Sequence, residues 1–382
     1  MEVLKAARGR ERAGGDVIHL EVGQPATGAP QSVRDAAKRA IDDDLLRYTD
    51  ADGTPELRRA ISDWYRSAYG LTVEPARIVV TTGASGACVL AFLASFDTGD
   101  RVAVTRPSYP CYRNMLTAFG VEVVDLPVAA DTRFQPTASM VEAAHRATPG
   151  GLRGLVVVSP SNPTGTIVAP EEMAAIAERC RALGIRLIVD EIYHGISYDV
   201  PARSVLEVEP DAVVVNSFSK FFSMTGWRVG WLVLPEQLVA PVERLAQNLT
   251  VAPPTLAQIA AVAAFDPSSL AELRGHVDRY TVNRRVLCAG LDAAGFTGFL
   301  PPDGAFYLWC PIDHLVEKGI TPSATELCAE WLESLDVAVT PGIDFDPVDG
   351  DRAIRFSFAG AEADVAAAAG RIQHWCARRT ST

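Results

Sequence analysis

The sequence predicts an α/β protein with a large domain around a mainly parallel sheet and a smaller α+β domain. Three observations lead there. Up to about residue 267, short β-rich runs alternate with helical patterns, as βα units do. Those runs are almost wholly apolar, as strands covered on both faces are. Beyond Pro267 the texture changes to one long helical stretch followed by a few more strand-like runs.

In chain order, RIVVTT (77–82) reads as a strand and GASGACVLAFLASF (83–96) as its helix. RVAVTRP (101–107) precedes the helical YPCYRNMLTAFG (109–120). LRGLVVVSP (152–160) runs into the turn SNPTG (161–165) and the helix PEEMAAIAERCRALG (170–184). RLIVDE (186–191), DAVVVNSFSK (211–220) and VGWLVLP (229–235) are further strands. SLAELRGHVDRYTVNRRVLCAGLDAAG (269–295) is a long helix. GAFYLWCPI (304–312), VAVTPG (337–342) and AIRFSFAG (353–360) follow as strands, then an Ala-rich helix. QSVRDAAKRAID (31–42) is helical with little sheet around it. The expected division is therefore 1–45 joining the small domain, 46–267 as the large domain, and 268–382 as the small domain. No internal repeat or low-complexity linker interrupts it.

The 382 residues allow a sizeable core, and 48% hydrophobic with 21% charged residues is an ordinary globular composition. A net charge of −12 without a Lys/Arg run argues against a nucleic-acid partner. The N-terminal MEVLKAARGRERAGGD has no apolar centre, so no signal peptide is expected, and no run is long enough to span a bilayer. Seven scattered cysteines without a CxxC pattern predict buried free thiols and a cytoplasmic setting. His19, His194 and His314 have no metal-ligand spacing, so no metal is expected; His194 belongs at most to a pocket wall.

In an open parallel sheet, ligands bind at the carboxyl ends of the strands. Gly83-Ala84-Ser85-Gly86 lies between a strand and a helix start, where backbone N–H groups and the helix dipole favour an anion; such a turn also serves simply as a cap. Asp190 ends RLIVD, as a helix cap or as the partner of a buried cation. Lys220 sits at a strand end beside Ser217 and Ser219, although a buried ammonium is costly. Arg228 can reach a phosphate with its fork, and Tyr109 offers an aromatic face. A phosphorylated ring carrying a cationic nitrogen and an aldehyde would use all of them: pyridoxal phosphate.

SNPTG, IVDEIY and SFSKFFSMTGWRVG, in that order, resemble the signature of the class I/II aminotransferases, of fold type I. The resemblance runs from DVIHLEVGQP to AIRFSFAG. It implies a large domain with a seven-stranded sheet and a Lys220 imine with pyridoxal phosphate. Lys220 then moves the proton on substrate. Asp190 pairs with the ring nitrogen, Asn162 and Tyr193 reach the phenolic oxygen, and Tyr109 stacks on the ring. Gly83, Ala84, Ser85, Ser217, Ser219 and Arg228 surround the phosphate. Arg355 grips the substrate α-carboxylate, with Gly23 and Asn162 beside it. Tyr48 crosses to the phosphate of a homodimer partner. The implied reaction moves an amino group to a 2-oxo acid, by family default 2-oxoglutarate.

Two features depart from the family pattern. Aspartate-using relatives often carry a Lys in the glycine turn, where this chain has Ser85. Asp346 in PGIDFD replaces a usual Gly, near the expected place of the substrate side chain. The segment ahead of EVGQP is also short for the family. Two other functions share the motifs: a carbon–sulfur β-lyase, and a regulator domain without catalysis. The latter follows a winged helix, for which little chain precedes EVGQP.

Overall fold

A computed structural model describes residues 2–380 of the chain. In order the elements are α1 (Glu2–Arg12), β1 (Ile18–His19), α2 (Gln31–Asp43), α3 (Pro55–Tyr69), β2 (Ile78–Thr81), α4 (Gly83–Ser95), β3 (Arg101–Arg106), α5 (Pro110–Ala118), β4 (Glu122–Pro127), α6 (Ala138–Ala147), β5 (Gly154–Val158), α7 (Pro170–Leu183) and β6 (Arg186–Asp190). They continue with β7 (Val213–Ser217), β8 (Gly230–Val233), α8 (Glu236–Leu249), α9 (Thr255–Val262), α10 (Pro267–Ala293), β9 (Tyr307–Pro311), α11 (Asp313–Glu317), α12 (Ala324–Leu335), β10 (Val337–Ala338), β11 (Thr340–Pro341), β12 (Ala353–Ser357) and α13 (Glu362–Thr380).

Seven strands form the central sheet in the order β2-β8-β7-β6-β5-β3-β4. Only β8 runs against its neighbours β2 and β7; the other pairings are parallel. The two-residue period of a strand divides each run between two cores. Val213 and Val215 of β7 face the core under α4, α5 and α8, whereas Val214 faces the opposite core with Val157 and Val189. Runs such as GLVVV therefore remain strands although they never alternate with polar residues: both faces are buried.

Helix ends follow local chemistry. The Thr54 hydroxyl accepts from the Leu57 N–H, Pro55 opens α3, and Gly70 closes it at φ 70°. The edge strand β4 is partly exposed and carries Glu122 and Asp125, so its mixed pattern does not stand out in the sequence.

β9, β12 and β11 make a three-stranded antiparallel sheet, and the long α10 packs along α13. β1 pairs in parallel with β10, which ties the N-terminal segment to residues 337–338. Among the described residues, no helix is long and apolar enough to cross a membrane.

Candidate active site

The carboxyl ends of the parallel strands open onto a cavity of about 270 Å³. Its wall includes Gly23, Ala84, Ser85, Tyr109, Asn162, Asp190, Tyr193, Ser219, Lys220, Arg228 and Arg355. Residues nearly the whole chain apart thus meet in one place.

Asp190, the last residue of β6, is 3% exposed. One carboxylate oxygen accepts the Ile192 N–H at 2.9 Å and the other the Tyr112 hydroxyl at 2.6 Å. Burial pushes its pKa up to about 6; the two hydrogen bonds and the Lys220 charge hold it from rising further.

Lys220 stands three residues beyond β7. Its Nζ donates to the Gly23 carbonyl at 2.5 Å and lies 5.8 Å from the centre of the Tyr193 ring. Burial lowers its pKa to about 8, helped by the charges of Arg355 and Arg228 and opposed by Asp190. A large fraction is neutral amine at mildly alkaline pH, which is the nucleophilic form.

The anion-binding corner is the start of α4. Its first N–H groups have no intrahelical partner. Gly83 has φ 73°, and a Cβ there would lie 2.6 Å from Arg228 Nη2. Only glycine lets the guanidinium come this close. Arg228 itself is left-handed at φ 55°, a conformation rare for a bulky residue, with Nη1 donating to the Thr225 carbonyl at 3.0 Å. The Ser219 and Ser217 hydroxyls are 2.9 Å apart. Ser217 does not reach the wall: its hydroxyl donates to the Val229 carbonyl and so supports Ser219 from behind.

Arg355, central in β12, is 6% exposed. Nη1 donates to Asn162 Oδ1 at 3.3 Å; Nη2 donates to the Glu21 carbonyl and to the Thr340 hydroxyl. The rings of Tyr307 and Phe345 lie 4.6 and 4.8 Å from its guanidinium carbon. A Cβ on Gly23 would collide with the Tyr307 hydroxyl, which is itself 2.9 Å from the Tyr193 hydroxyl.

Tyr48 is not part of this cavity in its own chain; it is 85% exposed. His194 is not on the wall either. It is buried behind Tyr193, bonded to the Tyr69 hydroxyl and the Ser159 carbonyl, and burial lowers its pKa to about 4. Wall residues that sequence reasoning did not single out are Cys88, Cys111, Tyr112, Ile192, Thr225 and Tyr307. Tyr112 follows Tyr109 by three residues, but an aromatic at that spacing in a helix reads equally as core. Tyr307 lay in a run legible only as a strand.

These groups fit pyridoxal phosphate. A buried carboxylate faces the cavity, a lysine of lowered pKa stands in its wall, and a helix N-terminus with a guanidinium closes off a glycine-shaped anion corner. Among the described residues, no cluster suited to a metal ion is present.

Comparison with known proteins agrees. The family profile "Aminotransferase class I and II" matches residues 15–372. A valine–pyruvate aminotransferase of Mycobacterium tuberculosis is 48% identical over 98% of this chain and 95% of its own length. An aspartate aminotransferase of Geobacillus stearothermophilus is 31% identical over 94% of this chain and 91% of its own. The crystal structure of an aminotransferase from Mycobacterium tuberculosis superposes with a TM-score of 0.95 at 47% identity, covering 99% of this chain and 96% of that one. The Thermus thermophilus aspartate aminotransferase with maleate gives 0.90 at 31% identity, covering 98% and 95%. With its family profile, its fold type I architecture and its cavity in accord, this chain belongs to the class I and II aminotransferases and is a pyridoxal-phosphate-dependent enzyme of that family.

Proposed function

We propose that the chain transfers the α-amino group of an apolar amino acid to a small 2-oxo acid, with Lys220 as the residue joined to the cofactor. The observation that carries this reading is the convergence of Lys220, Asp190, Arg228 with the α4 N-terminus, and Arg355 on one cavity of about 270 Å³. When bound, pyridoxal phosphate supplies an electron sink for the charge left on the substrate Cα.

The chain's own residues do the rest. Asp190 holds a proton on the ring nitrogen through its buried negative charge. Gly83, Ala84, Ser85, Ser219 and Arg228 hold the phosphate, and Ser217 braces Ser219. Asn162 and Tyr193 orient the phenolic oxygen, and Tyr109 covers the ring. Arg355 holds the substrate carboxylate with the remaining donors of its fork; its Nε has no hydrogen-bond partner within the protein. Lys220 Nζ, in its neutral form, is the base that would take the substrate α-proton.

Two observations favour an apolar donor. Ser85 stands where a lysine would read a second carboxylate, and Tyr109, Cys111, Ile192 and Tyr307 make part of the wall. For the acceptor, the family default is 2-oxoglutarate, whereas similarity to a valine–pyruvate aminotransferase favours pyruvate. We also propose a homodimer. Ile41 and Leu45 accompany Tyr48 on a segment with exposed apolar side chains, and the Tyr48 hydroxyl is free to reach a partner's phosphate corner. Free thiols at Cys88, Cys111, Cys180, Cys288, Cys310 and Cys328 support a cytoplasmic setting.

A panel of amino acids, each paired with pyruvate or 2-oxoglutarate, tests the reading with purified enzyme. Valine-type donors with pyruvate should react fastest. Release of pyruvate and ammonia from a β-substituted amino acid without any acceptor would establish β-elimination instead. Borohydride reduction followed by peptide mass spectrometry should place the cofactor on Lys220; an adduct on another lysine overturns the site.

A further inference from the structure

We infer that Arg106 and Asp346 act as a positioning pair that seats Phe345 against Arg355 and thereby sets affinity for the substrate carboxylate. This rests on the proposed role of Arg355.

Arg106 is the last residue of β3, in the central sheet. Asp346 lies in the loop between β11 and β12, in the other sheet. Arg106 Nη1 donates to Asp346 Oδ1 at 2.5 Å and to Asp349 Oδ2 at 2.8 Å. The first pair is nearly dry, with side chains 11% and 7% exposed, whereas Asp349 is mostly in solvent. The same Asp346 oxygen accepts the Val348 and Asp349 N–H groups at 3.0 Å. The loop therefore folds around this carboxylate, and the carboxylate is tied to the far sheet.

Phe345 precedes it directly. Its carbonyl accepts the Ser108 N–H at 3.1 Å, beside Tyr109 on the cavity wall. Its ring lies 4.8 Å from the Arg355 guanidinium carbon and packs edge-on against Trp309, with centroids 6.1 Å apart. A planar guanidinium binds a carboxylate with two parallel bonds only when its plane is held. The Phe345 ring is one of the surfaces that holds it, and the Arg106–Asp346 pair holds that ring. A glycine at 346 would leave Arg106 only the solvent-exposed Asp349. Neither Arg106 nor Asp346 lines the cavity, so the pair acts through Phe345 and Arg355.

The test uses holoenzyme and a carboxylate without an amino group, 3-methylbutanoate, whose Kd is measured by calorimetry. Asp346→Asn keeps the acceptor for the two loop N–H groups and removes the charge. We expect Kd for 3-methylbutanoate and KM for both substrates to rise about tenfold, with kcat within about threefold and cofactor content unchanged. Arg106→Gln, which leaves the loop's own bonds, should match it, and the double variant should be no worse than either. If Asp346→Asn does not fold, Arg106→Gln and Phe345→Leu carry the same measurements. An unchanged Kd in these variants overturns the pair's role, as does a loss in kcat alone. Arg355→Lys separates the two ideas: if it abolishes 3-methylbutanoate binding while Asp346→Asn leaves it intact, only the pair's role fails. If Arg355→Lys leaves binding intact, the carboxylate reading of Arg355 fails first.

Discussion

The Tyr112 hydroxyl donates to Asp190 Oδ2 at 2.6 Å, both residues nearly buried in the cavity wall. A hydrogen bond to a buried anion favours its charged form by about 1.5–3 kcal/mol. Tyr112→Phe should therefore move the acid limb of kcat upward by about one to two pH units. Rate should be lost mostly at acid pH and recover as pH rises. A pH-independent loss would show that Tyr112 serves packing alone.

Under its proposed role, Lys220 should report its environment during cofactor loading. Burial, then Arg355 and Arg228, bring its pKa to about 8. The neutral amine is the reactive form, so the rate at which apoprotein takes up pyridoxal phosphate should rise roughly tenfold per pH unit below 8 and level off above it. Stopped-flow absorbance measures this. A rate still climbing past pH 9.5 would indicate an ordinary lysine.

Tyr48 distinguishes shared from separate sites. Chains carrying both Tyr48→Phe and Lys220→Ala are mixed with wild-type chains under exchange conditions. In a heterodimer, the intact Lys220 site faces a partner without the tyrosine hydroxyl. Cofactor retention there should weaken roughly tenfold, the effect of one charge-assisted hydrogen bond. Retention equal to that of wild type, or an active monomer in sedimentation, removes the shared-site reading.

His19 links pH to stability. Its Nδ1 is 2.7 Å from Glu21 and its Nε2 3.1 Å from Glu11. Partial burial lowers its pKa, but hydrogen bonds to both carboxylates and their charges outweigh this, and the net shift is upward from 6.5. A raised folded value means that the stabilisation is complete below pH 6.5 and is lost as pH rises through the folded value. His19→Gln should lower Tm at pH 5.5 and leave it nearly unchanged at pH 9. The site is about a third exposed, so the effect at pH 5.5 is at most ~1 kcal/mol. An equal loss at both pH values would contradict the linkage.

How far the site is legible in sequence depends on how local its signals are. Lys220 and Arg228 share one loop, and Asp190 ends one strand; each announces itself within a few residues. Tyr112 and Tyr307 do not, because an aromatic in a helix or an apolar strand looks like core. Ser217 looks like Ser219 in sequence, but they part in space: Ser219 reaches the wall and Ser217 turns to the Val229 carbonyl. His194 sits beside Tyr193 in sequence but points into the interior behind it.

By itself the sequence determined the alternation of strands and helices, the mainly parallel sheet, and the glycine-turn, Asp190 and Lys220 motifs, because hydrophobic period and turn chemistry act over a few residues. Tertiary structure alone decided which side chains meet. It brought Arg355 of the three-stranded sheet to Asn162 in the turn after β5, placed the Tyr112 hydroxyl on Asp190, and joined Asp346 to Arg106 across 240 positions. Those distances are set by how strands twist and how two cores pack against each other, and charge and burial at the site follow from that packing, so no local pattern could encode the raised pKa of Asp190 or the part Arg355 plays in lowering that of Lys220.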